Sequence, residues 1–387
     1  MVDIHPEVEV VAQEGIVRRD LSELFRGAVR AALELVLEEE IQRIIGAARY
    51  ARAKDRVDSR NGSYLRGLMT SLGHIEVEMP RSRKNGSPTH VIGAYERRVE
   101  DVDDAIVAAY VNGVSTRAMG DVTEALLGED VGRSTVSRVT SRLQECVEAL
   151  RAARIEKPIP YLYLDATFLD ARWAKAVENV SALVAYGVNE KGHRELLAVT
   201  IGPQESEDSW GDLLKQLVDR GLHGVRLVIT DEHQGLKAAV RRYLPEARRQ
   251  RCVVHLLRNV GSKLPKRHRQ RVLREASAVF KAGTKKEAQR LLGQFRDRWV
   301  KLVEEAVACL VGGFEDATQF YEFPKAHWRR LRSTNGLERL HGEIKRRIRS
   351  VGAFPDRGSA LRLVTAVAIR VASIWGDRRY LDMSLLS

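Results

Sequence analysis

The chain has 387 residues, enough for two or three domains, and its 44% apolar and 30% charged residues are typical of a globular protein. The 64 Lys and Arg against 52 Asp and Glu give a net charge of +12, which favours a polyanionic partner, most simply nucleic acid. The sequence has no bilayer-length apolar run, no apolar signal core and only three scattered cysteines. We therefore expect a cytoplasmic, nucleoid-associated protein without membrane segments or disulfides.

The N-terminal part is predicted to hold two small regions. The first, residues 1–59, is helical, because apolar residues recur at three- and four-residue steps across 18–48. It is either an ordinary surface helix or a dimerisation arm. The second, residues 60–95, opens on the turn signal Arg60-Asn61-Gly62 and continues as a β-hairpin whose second strand alternates apolar and polar residues.

Residues 96–155 are predicted to be helical and to resemble a helix-turn-helix DNA-binding domain. A helix ending at Leu127 precedes a short turn and a helix over 135–150 whose start is rich in Ser, Thr and Arg. The residues expected to contact DNA are Arg133, Ser134, Thr135 and Arg138. A plain helical connector would give the same pattern, so both interpretations stay open.

The pattern becomes α/β over residues 156–260. Three strands are predicted first, and a helix, a strand, a helix and a last strand ending at Cys252-Val253-Val254 follow them. This is the element order of the RNase H-like fold, a mixed five-stranded sheet with helices. Residues 261–330 contain no convincing strand and are interpreted as an all-helical insertion. Residues 331–387 then complete the catalytic fold with C-terminal helices.

Three carboxylates, two on strands of this predicted sheet and one on a later helix, are candidates for a shared site. Asp165 lies inside the first strand, where a buried charge costs several kcal/mol unless it is compensated. Asp231 ends the fourth strand, a neighbour of the first, at the sheet edge where open α/β sheets place their sites. Glu338 lies in the first or second turn of a helix that Ser333 or Thr334 can cap.

Such a set of hard oxygen ligands suits two Mg²⁺ ions, or Mn²⁺ as a substitute. Two ions together can activate a water or a 3′-hydroxyl and stabilise the leaving oxygen at a phosphodiester. Two alternatives remain. Asp165 could form a buried structural ion pair with Arg172, or Asp170 could be the first metal ligand in its place.

The motifs around these residues resemble those of the DDE transposases of the IS256 family, in the Mutator-like group. The matching stretches are Leu164 to Thr167 with Arg172, Glu205 to Trp210, Thr230 to Leu236, Arg251 to His255, Thr334 to Arg339, and Gly352 to Pro355. Arg60-Asn61-Gly62 and the hairpin also match, so the likeness covers nearly the whole chain. One departure is Glu232, which follows Asp231 directly; we expect it to face solvent, although it could perturb metal binding.

The resemblance implies what the protein does. Transposases of this kind bind the terminal inverted repeats of an insertion sequence in double-stranded DNA, nick the ends and transfer strands through a circular intermediate into a target. Bringing two ends together implies a homodimer or a larger assembly. Two alternatives are a catalytically silent protein that binds the repeats, and an RNase H-like nuclease or resolvase that acts on branched DNA.

The resemblance also suggests residues that surround the carboxylates. Cys252 and His255 would lie beside the active site, with Arg172 and Asn335 near it. From spacing alone, Cys252 and His255 are also compatible with half of a zinc site or with a buried cysteine bonded to a histidine. The helix that carries Glu338 is basic, and the residues expected to follow DNA phosphates are Arg339, Lys345, Arg346, Arg347 and Arg349.

Overall fold

The computed structural model describes residues 6–386 apart from residues 52, 55, 88, 89, 94, 95, 174, 175, 376 and 377. The chain divides into two compact units, Met1–Thr140 and Ser141–Ser387. No helix within the described ranges is long and apolar enough to cross a membrane.

The first unit is a helix packed on a β-hairpin, followed by three short helices. Its elements are α1 (Pro6–Ile45), β1 (Arg60–Thr70), β2 (Gly73–Ser82), α2 (Glu100–Val111), α3 (Ala118–Leu127) and α4 (Arg133–Thr140). Leu37 of α1 is buried with Ile75, Val77 and Met79 of the alternating strand β2. The apolar face of the helix and that of the hairpin thus bury each other.

Two sequence predictions in this unit are corrected. The turn signal at Arg60-Asn61-Gly62 does not precede the hairpin; it is an irregularity inside β1, where the register shifts between Arg60 and Ser63 and Gly62 takes φ +74°. The helix predicted over 135–150 is two helices, because α4 ends at Thr140. The Thr140 hydroxyl donates to the Ser137 carbonyl at 3.2 Å, a bond that competes with the helical ladder.

The second unit is built on a mixed five-stranded sheet. After helix α5 (Leu143–Ala152) come β3 (Tyr161–Trp173), β4 (Ala176–Val188), β5 (Arg194–Gly202), α6 (Glu207–Asp219), β6 (Leu227–Thr230), α7 (Gln234–Tyr243) and β7 (Arg248–Arg251). The strand order is β5-β4-β3-β6-β7; β3, β4 and β5 pair antiparallel, and β6 and β7 run parallel to β3. This architecture is consistent with an RNase H-like fold.

The remainder of the second unit is helical within the described residues. The helices are α8 (Val253–Ser262), α9 (Lys266–Val279), α10 (Lys285–Trp299), α11 (Glu304–Phe314), α12 (Trp328–Leu331), α13 (Asn335–Val351) and α14 (Arg357–Ser373), with 3₁₀ turns at Gln319–Glu322, Lys325–His327 and Met383–Leu386. Helices α8 to α12 lie in sequence between the last strand and α13.

Both faces of the sheet are buried, which explains why β3 is continuously apolar before its carboxylate. On one face, Leu162 and Leu164 pack in a cluster with Trp210 of α6 and Leu236 of α7. On the other face, the rings of Tyr163 and Tyr186 stack with centroids 4.4 Å apart. The central strand is therefore held rigidly from both sides.

The last strand was predicted to end in Cys252-Val253-Val254, and this is wrong. The strand is the polar run Arg248–Arg251, and Val253 begins helix α8. A polar strand is stable here because its side chains find partners: the amide of buried Gln250 donates to the Ala317 carbonyl at 2.8 Å. As a consequence His255 lies on a helix and not on the sheet.

Candidate active site

Asp165 lies in the middle of the central strand and is almost completely buried, with 5% of its surface exposed. Its Oδ1 accepts a hydrogen bond from the Ala166 amide at 3.1 Å, and its Oδ2 is 3.6 Å from Nδ1 of His341. Burial lowers the pKa of the His341 imidazole to about 4, so this ring is neutral at neutral pH. Asp165 therefore has no cation in direct contact on this side.

Asp231 follows β6, which pairs in parallel with β3. The last pair of these strands is Tyr163 with Ile229, and Asp165 and Asp231 follow it by two residues each. The charge of Asp231 raises the pKa of Asp165, so the two carboxylates are near each other. Neighbouring strands lie about 4.8 Å apart, and both carboxylates belong to the carboxyl edge of the sheet. Oδ1 of Asp231 is buried without a hydrogen-bond partner within the described part of the chain. That oxygen is available to a ligand.

Glu338 lies in the first turn of α13, as predicted. Its Oε1 is 2.8 Å from Nη2 of Arg258 and 4.0 Å from Nε2 of His255, both on α8. Thr334 is the N-cap residue, but its hydroxyl does not cap the helix. Instead, the Thr334 amide and hydroxyl lie 3.4 and 3.5 Å from Sγ of Cys252, which ties the start of α13 to the start of α8.

His255 connects the three carboxylates electrostatically. A hydrogen bond with Cys252 and the charges of Cys252, Asp165 and Asp231 together raise the pKa of His255 to about 9, against the opposing effect of burial. Burial raises the pKa of the Cys252 thiol, but the bond and charge of His255 outweigh it and lower the value overall. His255 is thus an imidazolium at neutral pH, held by Cys252 next to Glu338.

The site carries more negative charge than its dry surroundings stabilise. Burial raises the pKa of Asp165 to about 7; His255 opposes this rise, and Asp231 and Glu205 increase it. Nevertheless, no group of three or more His, Cys, Asp or Glu side chains among the described residues is arranged closely enough to hold a metal ion. Asp165, Asp231 and Glu338 each lie near His255, but they do not form a closed ligand set.

A fourth carboxylate at this edge, Glu205, was quoted in the sequence motifs but not assigned to the site. Its Oε1 accepts a hydrogen bond from the indole N–H of Trp210 at 3.1 Å and lies 3.8 Å from Nδ1 of His233. Burial, and then the charge of Asp231, raise the pKa of Glu205. The sequence feature that could have indicated this role is Trp210, five residues later, whose indole N–H can donate a hydrogen bond to the Glu205 carboxylate.

His341 was also missed. It follows Glu338 by three residues, so both side chains project from the same face of α13. That spacing was visible in the sequence, but only the packing of α13 on β3 shows that the imidazole reaches Asp165.

Arg172 and Asp170 lie away from Asp165, whereas Asn335 shares the first turn of α13 with Glu338. Arg172 is exposed and seven residues further along β3 than Asp165, about 23 Å at strand spacing, so the buried Asp165–Arg172 ion pair does not exist. Asp170 is exposed too, and its Oδ1 accepts a hydrogen bond from Asn179 at 2.9 Å. Asn335 is the exposed first residue of α13.

Glu232 does not face solvent, contrary to the expectation from sequence. Its carboxylate forms ion pairs with Lys237 at 2.8 Å, Arg249 at 3.2 Å and Arg251 at 3.3 Å. Asp316, just after α11, shares the first two of these cations. The network explains why an extra carboxylate is tolerated next to Asp231: three cations neutralise it.

The basic residues predicted to contact DNA divide into exposed and buried ones. Arg339, Lys345, Arg346 and Arg349 are exposed along α13, whereas Arg347 is 8% exposed and lies 3.7 Å from Glu343. Burial lowers the pKa of Arg347, and its guanidinium is not available to a phosphate. In the first unit, Arg133, Ser134 and Arg138 are exposed on α4, and Thr135 is half-buried.

Comparison with known proteins agrees with the motifs. The profile of the family described as "Transposase, Mutator family" matches residues 3–377. The chain is 35% identical over 359 residues to the transposase for insertion sequence element ISRM5 of Rhizobium meliloti, covering 92% of this chain and 90% of that protein. It is 34% identical to the transposase for IS256 in transposon Tn4001 of Staphylococcus aureus, covering 90% of each chain.

A more distant relative is the transposase for IS1081 of Mycobacterium tuberculosis, which is 32% identical and aligns with 94% of this chain and 89% of its own length. Among solved structures, a chain of the simian T-cell lymphotropic virus intasome with the PP2A subunit B56 gamma aligns with 53% of this chain and 64% of its own. The identity is 13% and the TM-score is 0.16, too low for a comparison of folds.

Proposed function

The chain belongs to the Mutator family of transposases, and we propose that it moves an insertion sequence by cutting and joining DNA strands at Asp165, Asp231 and Glu338. The observation that carries this proposal is the meeting of these residues around His255: the parallel β3–β6 pair aligns the two aspartates, and Glu338 lies 4.0 Å from the same imidazole. The alternative of a catalytically silent binding protein does not account for this costly arrangement.

The chemistry of the donor set fits Mg²⁺, although its members among the described residues are spaced too widely to enclose an ion. Asp165, Asp231 and Glu338 offer carboxylate oxygens only, Oδ1 of Asp231 is buried without a partner, and the pKa of Asp165 is raised to about 7 by burial. These three residues would hold two Mg²⁺ ions, with Mn²⁺ as a substitute. When bound, the ions would supply the positive charge that activates the attacking oxygen and stabilises the leaving one.

The residues of the chain have separate tasks in this proposal. Asp165 is fixed by strand β3 and the Ala166 amide, so it would give a bound metal ion a fixed position. The imidazolium of His255 can donate a hydrogen bond to a non-bridging phosphate oxygen, where negative charge develops. Arg258, which pairs with Glu338 at 2.8 Å, is exposed and can turn from the carboxylate to the phosphate backbone.

Two reactions at phosphorus suffice for transposition. In the first, water attacks the phosphodiester at the end of the element, a new P–O bond forms, and the 3′-oxygen leaves and takes up a proton. In the second, the freed 3′-hydroxyl loses its proton and its oxygen bonds to the phosphorus of another phosphodiester, whose own 3′-oxygen leaves and takes up a proton. One P–O bond forms and one breaks, so no energy source is needed. Transfer between the two ends gives a circular intermediate, and a later transfer inserts the element into target DNA.

Recognition of the inverted repeats is assigned to the first unit. Helix α4 follows α3 after a turn that begins at Gly128 (φ +77°). The helix exposes Arg133, Ser134 and Arg138, and Thr135 lies beside them. In the second unit, α13 carries four exposed basic residues after Glu338, which would contact DNA phosphates: Arg339, Lys345, Arg346 and Arg349. Because two ends react together, the active species is a dimer or larger.

The test is cleavage and strand transfer on duplex DNA that carries the element ends, with Mg²⁺ and without it. Asp165→Asn, Asp231→Asn and Glu338→Gln are each expected to abolish both reactions while DNA binding persists. Asp170→Asn is the matched control, because that carboxylate lies on the same strand outside the cluster. Full activity in the Asp165 or Glu338 variant would overturn the assignment, and preferred cleavage of branched junctions would favour a resolvase.

A further inference from the structure

We propose that helices α8 and α9 form a cationic track that binds the sugar–phosphate backbone of the duplex leading into the carboxylate site. The inference rests on the proposed function, because it concerns the DNA on which that site acts. From Arg258 to Arg274 the sequence has no Asp or Glu. Its cations, which define the track, are Arg258, Lys263, Lys266, Arg267, Arg269, Arg271 and Arg274.

The track starts at the active site. Arg258 lies one turn after His255 on α8 and reaches Glu338 at 2.8 Å. About one further turn along α8, Gly261 permits the close approach of α9: a Cβ there would lie 3.3 Å from Leu273 and 3.7 Å from Nε of Arg269. The guanidinium group of Arg269 therefore follows that of Arg258 in space, which continues the positive charge from one helix to the next.

The charged face of α9 is held in place by its apolar face. Val272, Ala276 and Val279 are buried, whereas the five Lys and Arg side chains of α9 are exposed. A helix of 14 residues is about 21 Å long. Duplex DNA carries one phosphate charge per about 1.7 Å of axis, so this length suits several successive phosphates.

The charges on α9 are unfavourable for the isolated protein. Lys266 and Arg267 lie in the first turn, which has no acidic residue, and like charges there oppose the helix dipole by about 0.3–1 kcal/mol each. Of the five cations of α9, only Arg271 has a described carboxylate within 4.0 Å, namely Glu275 at 3.5 Å. Such a cost is offset when a polyanion binds.

Helix α10 shows that uncompensated cations are not general in this region. Lys285 pairs with Glu315 at 2.6 Å, Arg290 with Glu287 at 2.6 Å, and Arg296 with Asp297 at 3.1 Å. The two helices are similar in length and each has five Lys and Arg residues, but four of those in α10 pair with carboxylates, the fourth being Arg298 with Glu275 at 3.0 Å. The track consists of exposed cations, which attract the phosphate oxygens of any duplex, so we assign its partner as the phosphate backbone and not a particular base sequence.

The experiment compares two triple variants in duplex binding, followed by fluorescence anisotropy across a range of salt concentrations. The track variant is Lys266→Gln with Arg267→Gln and Arg269→Gln. The control variant, Lys285→Gln with Arg290→Gln and Arg296→Gln, removes the same charge from paired positions. We expect the track variant to lose about 2–3 from the slope of log K against log salt and about 10- to 100-fold in affinity at low salt, equally for any sequence. The control should keep the slope of the natural protein.

Two further measurements make the outcome decisive. Replacement of Arg267 and Arg269 by Lys should keep the salt slope, because a phosphate contact needs charge and not a planar fork. Gln is a good helix former, so all variants should fold, and the track variant should melt slightly higher because Lys266 and Arg267 no longer oppose the helix dipole. A lowered melting temperature would be detected before binding is interpreted. If the track and control variants lose the same affinity and salt slope, net charge alone determines binding. If the track variant loses neither, the DNA binds elsewhere.

Failure of this inference is distinguishable from failure of the proposed function. If the natural protein neither binds nor cleaves DNA carrying the ends, the proposed function is wrong. If the natural protein cleaves and the track variant binds like the control, only the track is wrong. The Asp165→Asn protein provides the reference, because it should bind DNA with an unchanged salt slope while it cleaves nothing.

Discussion

Gly336 connects the packing of the sheet to the placement of Glu338, and its substitution tests that connection. The residue lies in the first turn of α13, two positions before Glu338. A Cβ added to Gly336 would overlap the hydroxyl of Tyr186 and lie 3.2 Å from its Cζ, inside the about 3.5 Å contact distance of carbon atoms. Tyr186 cannot withdraw, because it is completely buried between Tyr163 and Trp375.

The size of the effect follows from two opposing contributions. Overpacking of a well-packed core costs about 1–3 kcal/mol, and replacing Gly by Ala in a helix returns about 0.5–1 kcal/mol. Gly336→Ala should therefore lower the free energy of unfolding by about 1–2 kcal/mol. Tyr186→Phe removes the overlapping oxygen, leaving only the tight Cζ contact. The double variant should recover most of the loss, with a coupling energy of about 1–2 kcal/mol.

Chemical denaturation of the four proteins in this cycle measures the coupling, and DNA cleavage reports whether Glu338 moves. Gly342 is the control on the same helix, because nothing lies within 4 Å of a Cβ added there. Gly342→Ala should stabilise the protein by about 0.5–1 kcal/mol. If Gly336→Ala behaves like Gly342→Ala, or if Tyr186→Phe does not relieve it, the close approach of α13 to the sheet is not as described.

Three further predictions concern charge and hydrogen bonding. Asp165→Asn should raise the free energy of unfolding of the metal-free protein by about 2–4 kcal/mol at pH 8, because the raised pKa of Asp165, about 7 against 3.8, makes its ionisation in the folded state costly. This stabilisation should shrink as the pH falls toward 4, where Asp165 is protonated. A stabilisation that does not change with pH would contradict this cause. Burial alone would raise the pKa of Glu232, but its bonds to Lys237 and two arginines lower it below 4.5. The resulting stabilisation is present above pH 4.5 and is lost as the pH falls through the lowered pKa. Glu232→Gln should therefore lower the free energy of unfolding in urea by about 1–3 kcal/mol at pH 7 and by less at pH 4. Trp210→Phe keeps most of the apolar contacts but leaves Glu205 without its indole donor, and a loss of about 1–3 kcal/mol is expected in thermal unfolding, whereas a neutral effect would show that water replaces that bond.

Much of the fold was accessible from the sequence because the relevant signals are local. The apolar run Tyr161–Leu164 predicts a strand buried on both faces, and Asp165 interrupts it at a position that only a compensated charge tolerates. The strand–helix alternation that follows gives the order of a mixed sheet. The first turn of α13 was likewise predictable, since Thr334 precedes it and Glu338 falls within one turn.

The errors arose where a residue's partner is remote in sequence. Val253 and Val254 have the side chains of a strand, yet Val253 starts a helix, and its amide donates to the Arg332 carbonyl at 2.9 Å. The polar run Arg248–Arg251 forms the strand instead, supported by residues that follow α11. Local propensity does not contain these contacts, so tertiary structure overrides it.

The candidate carboxylates Asp165, Asp231 and Glu338, each beside a motif, and the long basic stretches could be read from the sequence alone. Only the tertiary structure decided the surroundings of those carboxylates. Glu205 and His341 join the site, Arg172 does not, and Glu232 is neutralised by three cations. The physical reason is that the free energy of a buried charge depends on groups a few ångströms away in space, and chain order does not specify these neighbours.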